Sequence, residues 1–348
     1  MTTFPEAREI ILNATGDAFP AASVEVGSHD RVIWREAFGE FPQHSELTPT
    51  TDQTIFDLAS LTKIIATTSL VLQAVDNGLL RLDDTVGHWL KPWKQQDRET
   101  VTLVDLLSHS SGLTPHLPFF RDHKGRIEFE ESICSLPLEY LPRAKSVYSD
   151  LGFILLGFIL ETATTVPLIT QFSRMVQQQG WNGLTFGRDI HTRENVAPTE
   201  FDSWRGRLLV AEVHDENTWA LGGVAGHAGL FGTATAVGKF ATTILRQLRG
   251  DALLATPASF MKFVTRTAVP NSSRALGWDT MLTTSSCGTR MSSRAIGHIG
   301  FTGTSLWLDP AVDLYIVLLT NRVYPSRSND AILEVRRSFH DAVVDALA

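Results

Sequence analysis

Phe56-Asp57-Leu58-Ala59-Ser60-Leu61-Thr62-Lys63 leads into Ile64-Ile65-Ala66-Thr67-Thr68-Ser69-Leu70-Val71-Leu72-Gln73-Ala74-Val75, with no charge after Lys63 until Asp76. So long an uncharged run predicts a helix buried on most of its faces. Ser60 and Lys63 are three residues apart and share a face of that helix, so the ammonium nitrogen can reach the hydroxyl. Ser60 falls at the helix start, where backbone N–H groups point toward incoming negative charge. A lysine in this relation can activate a serine without a histidine. Lys63 either snorkels to the surface or is held by a partner, because an unpaired ammonium is costly to bury. The chain has 7 lysines against 23 arginines, which makes a lysine at this place notable. A second Ser-x-x-Lys, Ser259-Phe260-Met261-Lys262, follows Pro257 and reads as an ordinary helix start.

Upstream of the helix, Phe4 to Asn13 reads as an opening helix. Ala22–Val26 and Val32–Phe38 read as two strands joined by Ser28-His29-Asp30-Arg31, a hairpin signal. Downstream, Asn77-Gly78 stops the Ser60 helix. Short helices are expected at Asp84–Leu90 and Thr102–Leu107, the second running into the small-residue loop Ser108-His109-Ser110-Ser111-Gly112. Thr114 to Ser146 carries Pro115, Pro118, Pro137 and Pro142 and reads as an irregular region bordering a cleft. Leu151–Thr164 is a second apolar helix. The glycine-rich stretch Gly222–Gly232 requires close backbone passage. Arg294–Phe301, Ser305–Leu308 and Leu314–Thr320 read as strands, with a turn at Asp309-Pro310, and Ser328–Leu347 as a closing amphipathic helix.

Strands at both ends around a helical middle predict a two-lobed α/β (α+β) fold. Its antiparallel sheet combines N- and C-terminal strands with flanking helices, and an all-helical lobe is inserted. The 348 residues suit one domain, 1–348. Its α/β lobe would span about 1–75 and 230–348, and its helical lobe about 76–229. A cleft between the lobes is the expected place for chemistry.

Composition narrows the partners. The chain is 43% hydrophobic and 20% charged, as a globular protein is. A net charge of −8 argues against nucleic acid or an anionic membrane. Cys134 and Cys287 stand in no metal or redox spacing. The first residues show no export signal, and the most apolar stretch, Leu151–Leu160, is too short to span a bilayer. A cytoplasmic protein with no evident membrane anchor is therefore expected, or a periplasmic or secreted one if a signal has been removed. The histidines at 191, 214, 227 and 298 show no ligand spacing such as His-x-x-x-His, so neither a metal nor a cofactor is expected.

Two further motifs supply what a Ser-Lys nucleophile lacks. Tyr148-Ser149-Asp150 precedes the second apolar helix. A phenolate, or a phenol beside an ammonium, can take the Ser60 proton and return it. Asp150 is at the same time a natural helix N-cap. Gly297-His298-Ile299-Gly300-Phe301-Thr302-Gly303-Thr304 places glycines around a strand end, where substrate can lie against the backbone. The N–H groups of Phe301 and Ser60 would form an oxyanion hole, and His298 would offer substrate a positive or hydrogen-bonding group. His214 and His227 either line the cleft or shape tight loops. Trp219 and Trp307 are expected in the core.

In order and spacing, Ser60–Lys63, Tyr148–Asp150 and His298–Gly300 resemble the penicillin-recognising serine hydrolases, namely serine β-lactamases, D-Ala-D-Ala carboxypeptidases and related esterases. Leu106-Leu107-Ser108-His109-Ser110-Ser111-Gly112 and Gly78–Asp84 also resemble segments of that family. The likeness covers about residues 20–345 and is strongest to the class-C-like and carboxylesterase branch. It implies an acyl-enzyme mechanism on a small-molecule ester, amide or β-lactam-like substrate. Small acyl esters are the first expectation. D-amino-acid peptides, including muropeptides, come second, with weak β-lactam hydrolysis accompanying either. A non-catalytic ligand-binding member of the fold is the rival, but a binding module needs no nucleophile. Two positions depart from the family. Asp150 stands for the usual Asn, and an anion beside Lys63 raises its pKa and moves proton work to Tyr148. Ile299 stands for the usual Thr or Ser, and its side chain cannot donate to a substrate carboxylate.

Overall fold

The structure is a computed structural model describing residues 4–43, 46–94 and 96–347. Helix α1 (Pro5–Ala14) leads into strands β1 (Ala21–Gly27), β2 (Val32–Gln43), β3 (Glu46–Pro49) and β4 (Phe56–Asp57). A π-helical turn, Lys63–Thr68, then passes into α2 (Ser69–Asp76). Helices α3 (Val86–Trp89), α4 (Leu103–Leu107), α5 (Gly125–Ser135), α6 (Asp150–Thr164) and α7 (Leu168–Gln179) follow. Short strands β5 (Thr185–Phe186), β6 (Phe201–Asp202) and β7 (Arg207–Leu208) precede α8 (Glu216–Ala220) and β8 (Leu230–Gly232). Helices α9 (Ala234–Leu248) and α10 (Pro257–Val264) lead to β9 (Asp279–Thr280), β10 (Ile296–Ile299), β11 (Ser305–Asp309), β12 (Leu314–Thr320) and α11 (Ile332–Asp345).

One seven-stranded sheet, ordered β3-β2-β1-β12-β11-β10-β9, joins the two ends of the chain through antiparallel β1–β12 pairing, with Val24 opposite Leu318. All seven residues of β12 are buried, which explains why Leu-Tyr-Ile-Val-Leu-Leu-Thr shows no polar alternation: helices cover both faces of the sheet. Leu314, Ile316 and Leu318 join Trp307, Phe339 and Val343 on the α1/α11 side. Tyr315, Val317 and Leu319 join Leu306, Val237 and Phe240 on the α9 side. Each fully buried Leu, Ile or Phe contributes about 2 kcal/mol to this packing.

The apolar helix α6 is the other organiser. Its residues Leu151–Leu160 are all buried, and it packs on α4, α5, α7 and the π-helical turn. Gly226 meets it backbone to backbone: a Cβ there would sit 3.0 Å from the Gly157 nitrogen, so a larger residue would push the 222–232 loop away from α6. Among the described residues no single helix is long and apolar enough to cross a membrane.

Three local expectations are corrected, and one helix is found where the sequence reading assigns no element. The 114–146 region contains a 3-10 turn, Phe119–Arg121, and the eleven-residue helix α5. The N-cap of α6 is Ser149, whose side chain accepts from the Gly152 N–H; Asp150 is the first helical residue. The 234–248 stretch forms a full helix capped by Thr233. Trp307 is buried, but Trp219 is 37% exposed and meets Trp204 edge-on at 5.3 Å.

Candidate active site

The turn carrying Ser60 is held from below. Ala59 adopts a left-handed φ of +46°, which costs an alanine about 1–2 kcal/mol. The buried Asp57 offsets part of this by accepting the Ala59 N–H through Oδ1 at 2.8 Å and the His214 N–H through Oδ2 at 2.7 Å. Burial pushes the Asp57 carboxyl above the ordinary range. The effect of the bend is to present Ser60 at the head of the π-helical turn, with Lys63 beneath it.

Lys63 is completely buried, so it does not snorkel. Its three donors find three acceptors: Ser60 Oγ at 3.0 Å, Asp150 Oδ1 at 2.7 Å and the His227 carbonyl at 3.1 Å. Burial works to lower its pKa, but Asp150 and Tyr148 outweigh it and the pKa stands above the usual lysine value. Lys63 is therefore an ammonium at neutral pH. Its Nζ lies 4.8 Å from the centre of the Tyr148 ring, and the Tyr148 hydroxyl interacts with both Lys63 and Ser60. Burial raises the Tyr148 pKa, Lys63 pulls it back and Asp150 adds to the rise. The resting group is a neutral phenol.

His109, which the sequence reading passed over as part of a small-residue loop, sets the position of Tyr148. It is buried with a left-handed φ of +57°. Its Nδ1 accepts the Ser149 N–H at 3.0 Å, its carbonyl accepts the Val147 N–H at 2.9 Å, and its ring lies 4.6 Å from that of Tyr148. Burial, then Arg274 and Lys63, hold its pKa well below the usual histidine value, so the ring is neutral.

The end of β10 is bolted to the nucleophile turn. Thr302 Oγ1 donates to the Asp57 carbonyl at 2.7 Å and Thr304 Oγ1 to the Leu58 carbonyl at 3.0 Å. Gly300 packs so closely that a Cβ there would stand 2.6 Å from the Leu58 carbonyl oxygen. This glycine thus serves approach between two protein segments. Neither the Ser60 N–H nor the Phe301 N–H donates to another group among the described residues, so both are available to a ligand oxygen. Arg322 Nε donates to the Phe301 carbonyl at 2.8 Å and fixes that peptide. His298 is buried, and its Nδ1 donates to the Ile299 carbonyl at 2.8 Å. Burial, Arg274 and Lys63 keep it neutral, so it offers no positive charge. Its hydrogen-bonded tautomer leaves Nε2 as an acceptor.

Two cavities meet at Ser60, Tyr148 and Phe301. One, of about 690 Å³, extends past His298, Ile299 and Gly300 toward α11. The other, of about 290 Å³, is lined by Asp150, His116, His214 and His227. His227 Nε2 pairs with Asp215 at 2.8 Å, and His214 Nε2 pairs with Glu200 at 2.9 Å. The site therefore gathers Ser60, Lys63 and Asp150 into one hydrogen-bonded group with Tyr148 against it, and Ser60 and Phe301, whose N–H groups are free, line the same cavities. Ser259 and Lys262 lie apart from it on α10, capped by Thr256.

Comparison with known proteins agrees with this geometry. The sequence profile described as Beta-lactamase matches residues 10–339. An N-acetylmuramyl-L-alanine amidase of Bacillus subtilis (strain 168) is 30% identical over 343 residues, covering 87% of this chain and 77% of the relative. A putative D-alanyl-D-alanine carboxypeptidase of Escherichia coli (strain K12) is 28% identical over 348 residues, covering 87% and 79%. Two solved structures share the fold at 20% identity and a TM-score of 0.75: EstCE1, a hydrolase with promiscuous acyltransferase activity (98% of both chains), and an octameric penicillin-binding protein homologue from Pyrococcus abyssi (98% of this chain, 77% of that one). The chain belongs to the beta-lactamase family and is a serine hydrolase.

Proposed function

We propose that Ser60 attacks the carbonyl of a small ester and carries its acyl group as a covalent intermediate. The observation that carries this reading is the contact of Ser60 Oγ with the buried Lys63 Nζ, itself clamped by Asp150. The Ser60 proton passes to the Tyr148 oxygen in its phenolate form, which the adjacent Lys63 ammonium stabilises. Phenolate is scarce at neutral pH: with the Tyr148 pKa above 10, forming it at pH 7 costs more than about 4 kcal/mol. The N–H groups of Ser60 and Phe301 receive the oxyanion, each contributing about 3 kcal/mol. Tyr148 then returns its proton to the leaving oxygen, and the phenolate so formed takes a proton from the water that attacks the acyl group; passing that proton to the Ser60 oxygen releases the acid and frees Ser60.

Esters come first because they need less leaving-group protonation than amides and because Ile299 offers no hydroxyl to a carboxylate beside the scissile bond. A second reading, amide hydrolysis on muropeptides, is favoured by the 30% identity to a relative named as an N-acetylmuramyl-L-alanine amidase. Hydrolysis of p-nitrophenyl butyrate, a chromogenic cephalosporin, N-acetylmuramyl-L-alanine and a D-Ala-D-Ala peptide, side by side with Ser60→Ala, separates the two. The ester reading expects Ser60-dependent turnover to be fastest on the butyrate. Turnover of the muramyl amide or the dipeptide with higher kcat/KM would replace it by the second reading.

A further inference from the structure

The loop that gives Lys63 its third acceptor is rich in glycine and would not hold that acceptor still by itself. Gly222, Gly223 and Gly229 take left-handed φ values of +85°, +86° and +115°, and a backbone of this kind is readily displaced. The His227 carbonyl nonetheless stands 3.1 Å from Lys63 Nζ. Two threonines hold the chain on either side of it: Thr67 Oγ1 donates to the Gly226 carbonyl at 2.6 Å, and Thr62 Oγ1 accepts the Leu230 N–H at 3.1 Å. At residue 227 itself the anchor is the side chain.

The His227 ring is 1% exposed. Its Nε2 pairs with Asp215 Oδ1 at 2.8 Å and lies 3.3 Å from Thr218 Oγ1. Burial works to raise the Asp215 pKa, but His227, through charge and hydrogen bond, and Thr218 outweigh it and hold the carboxyl well below its ordinary range. Asp215 is thus ionised at neutral pH, and Nε2 carries the proton that it accepts. Asp215 is fixed in turn, because the same Oδ1 accepts the Thr218 N–H at 2.6 Å as the N-cap of α8. His227 Nδ1 is buried and has no partner among the described residues, which costs stability. An apolar side chain would fill the space without that cost, so packing does not account for a histidine here. The Nε2–H bond to Asp215 does.

We propose that Asp215 and His227 are positioning residues for Lys63. The pair locks the 222–232 loop to the start of α8, so that the His227 carbonyl takes one ammonium hydrogen and leaves the other two for Asp150 and Ser60. An ammonium has three donors and no acceptor. With all three committed, Nζ is held at 3.0 Å from Ser60 Oγ. Without the ring, the carbonyl is free to drift with its glycine-rich loop. Lys63 then either follows the carbonyl or keeps a buried donor unmet, and both loosen its hold on Ser60. The pair acts through Lys63, so its effect falls on the chemical step. The inference rests on the reading in which Lys63 organises Ser60 as the nucleophile.

Timed labelling of Ser60 by an alkyl fluorophosphonate tests it, in a double-mutant cycle with Lys63. His227→Ala should slow labelling about tenfold or more, the scale of a misplaced reacting group. It should lower kcat on p-nitrophenyl butyrate while KM stays within about twofold. In the Lys63→Ala background the same substitution should change labelling by less than about twofold, because nothing is left to position. His227→Gln, whose amide can donate to Asp215, should stay within about threefold of the wild-type rate. Should His227→Ala fail to fold, Asp215→Ser takes its place: serine still caps α8 but is too short to hold the ring. The split between kcat and KM and the glutamine rescue decide where Lys63→Ala labels too slowly to time. An equal loss with and without Lys63, or a loss that glutamine does not restore, would overturn the proposal. So would wild-type rates in both His227→Ala and Asp215→Ser. Labelling that Lys63→Ala does not slow would instead overturn the reading of Lys63, and labelling that survives Ser60→Ala the reading of the nucleophile.

Discussion

Replacing Asp150 by asparagine removes the carboxylate that pairs with Lys63 at 2.7 Å. Two unit charges at that distance attract by about 6 kcal/mol at an effective dielectric of 20. Asparagine keeps one oxygen to accept from Nζ, so only part of that is lost, and a fall of about one to three pH units in the pKa of the neighbouring bases is the expected scale. Asp150 holds up the pKa of Lys63 and of Tyr148 alike, so Asp150→Asn lowers both. The deprotonated form is the active one, so kcat/KM rises with pH, and the rising limb should move to lower pH in the variant. At pH 7 the population of base then grows in step with the shift, while its reactivity falls by about half as much on a logarithmic scale. The net gain on p-nitrophenyl butyrate is about threefold to thirtyfold. The variant should also be less stable by about 3 kcal/mol, because the buried ammonium loses its counter-ion. The assay is a pH profile of kcat/KM from about pH 6 to 10.5 for both proteins, with melting temperatures alongside. A limb that stays in place or moves upward in a folded variant would refute the assignment of Asp150 as the group that suppresses proton acceptance.

Three further outcomes are expected. Burial works to raise the Glu200 pKa, but hydrogen bonds from His214 and Arg327 overcome it and bring the group to about 2. Its contribution is complete above its ordinary value of 4.5 and is lost as pH falls toward 2; Glu200→Gln should cost about 3 kcal/mol at pH 7 in urea unfolding, a difference that closes in acid. His109→Leu should lower kcat about tenfold or more with KM within about twofold, because it misplaces Tyr148 without touching substrate; a fall confined to KM would contradict this. Ile299→Thr should raise activity on peptides whose carboxylate adjoins the scissile bond, read as kcat/KM on a D-Ala-D-Ala peptide. No change would count against the part given to that position.

The catalytic group was legible in the sequence because its members sit in short local patterns: Ser60–Lys63 on one helix face, Tyr148–Asp150 ahead of an apolar helix. Their electrostatic state was less so. The rise in the Lys63 pKa follows from reading Asp150 beside it, but Tyr148 stays a phenol because of burial, and His298 stays neutral because of burial and then of Arg274, neither of which the primary structure displays. His109 was hidden because its part is played through backbone carbonyl, ring face and a positive φ, none of which leaves a pattern. Helix α5 escaped because it buries only Phe129, Ile133 and Cys134 and shows almost no amphipathic period. By contrast α9, with the Thr233 cap and a clear apolar face, is marked in its own residues. The arginines of the larger cavity come from the loop before β9, the segment after β12 and helix α11, and only the fold shows that they line one cavity.

The central claim is that Ser60, and no other serine, forms the covalent intermediate. Intact-protein and peptide mass spectrometry after brief reaction with an alkyl fluorophosphonate tests it directly. The account predicts one adduct per chain, on the peptide containing Ser60, absent from Ser60→Ala and slowed by Lys63→Ala. An adduct on another residue, Ser259 included, or labelling that survives Ser60→Ala, would contradict it.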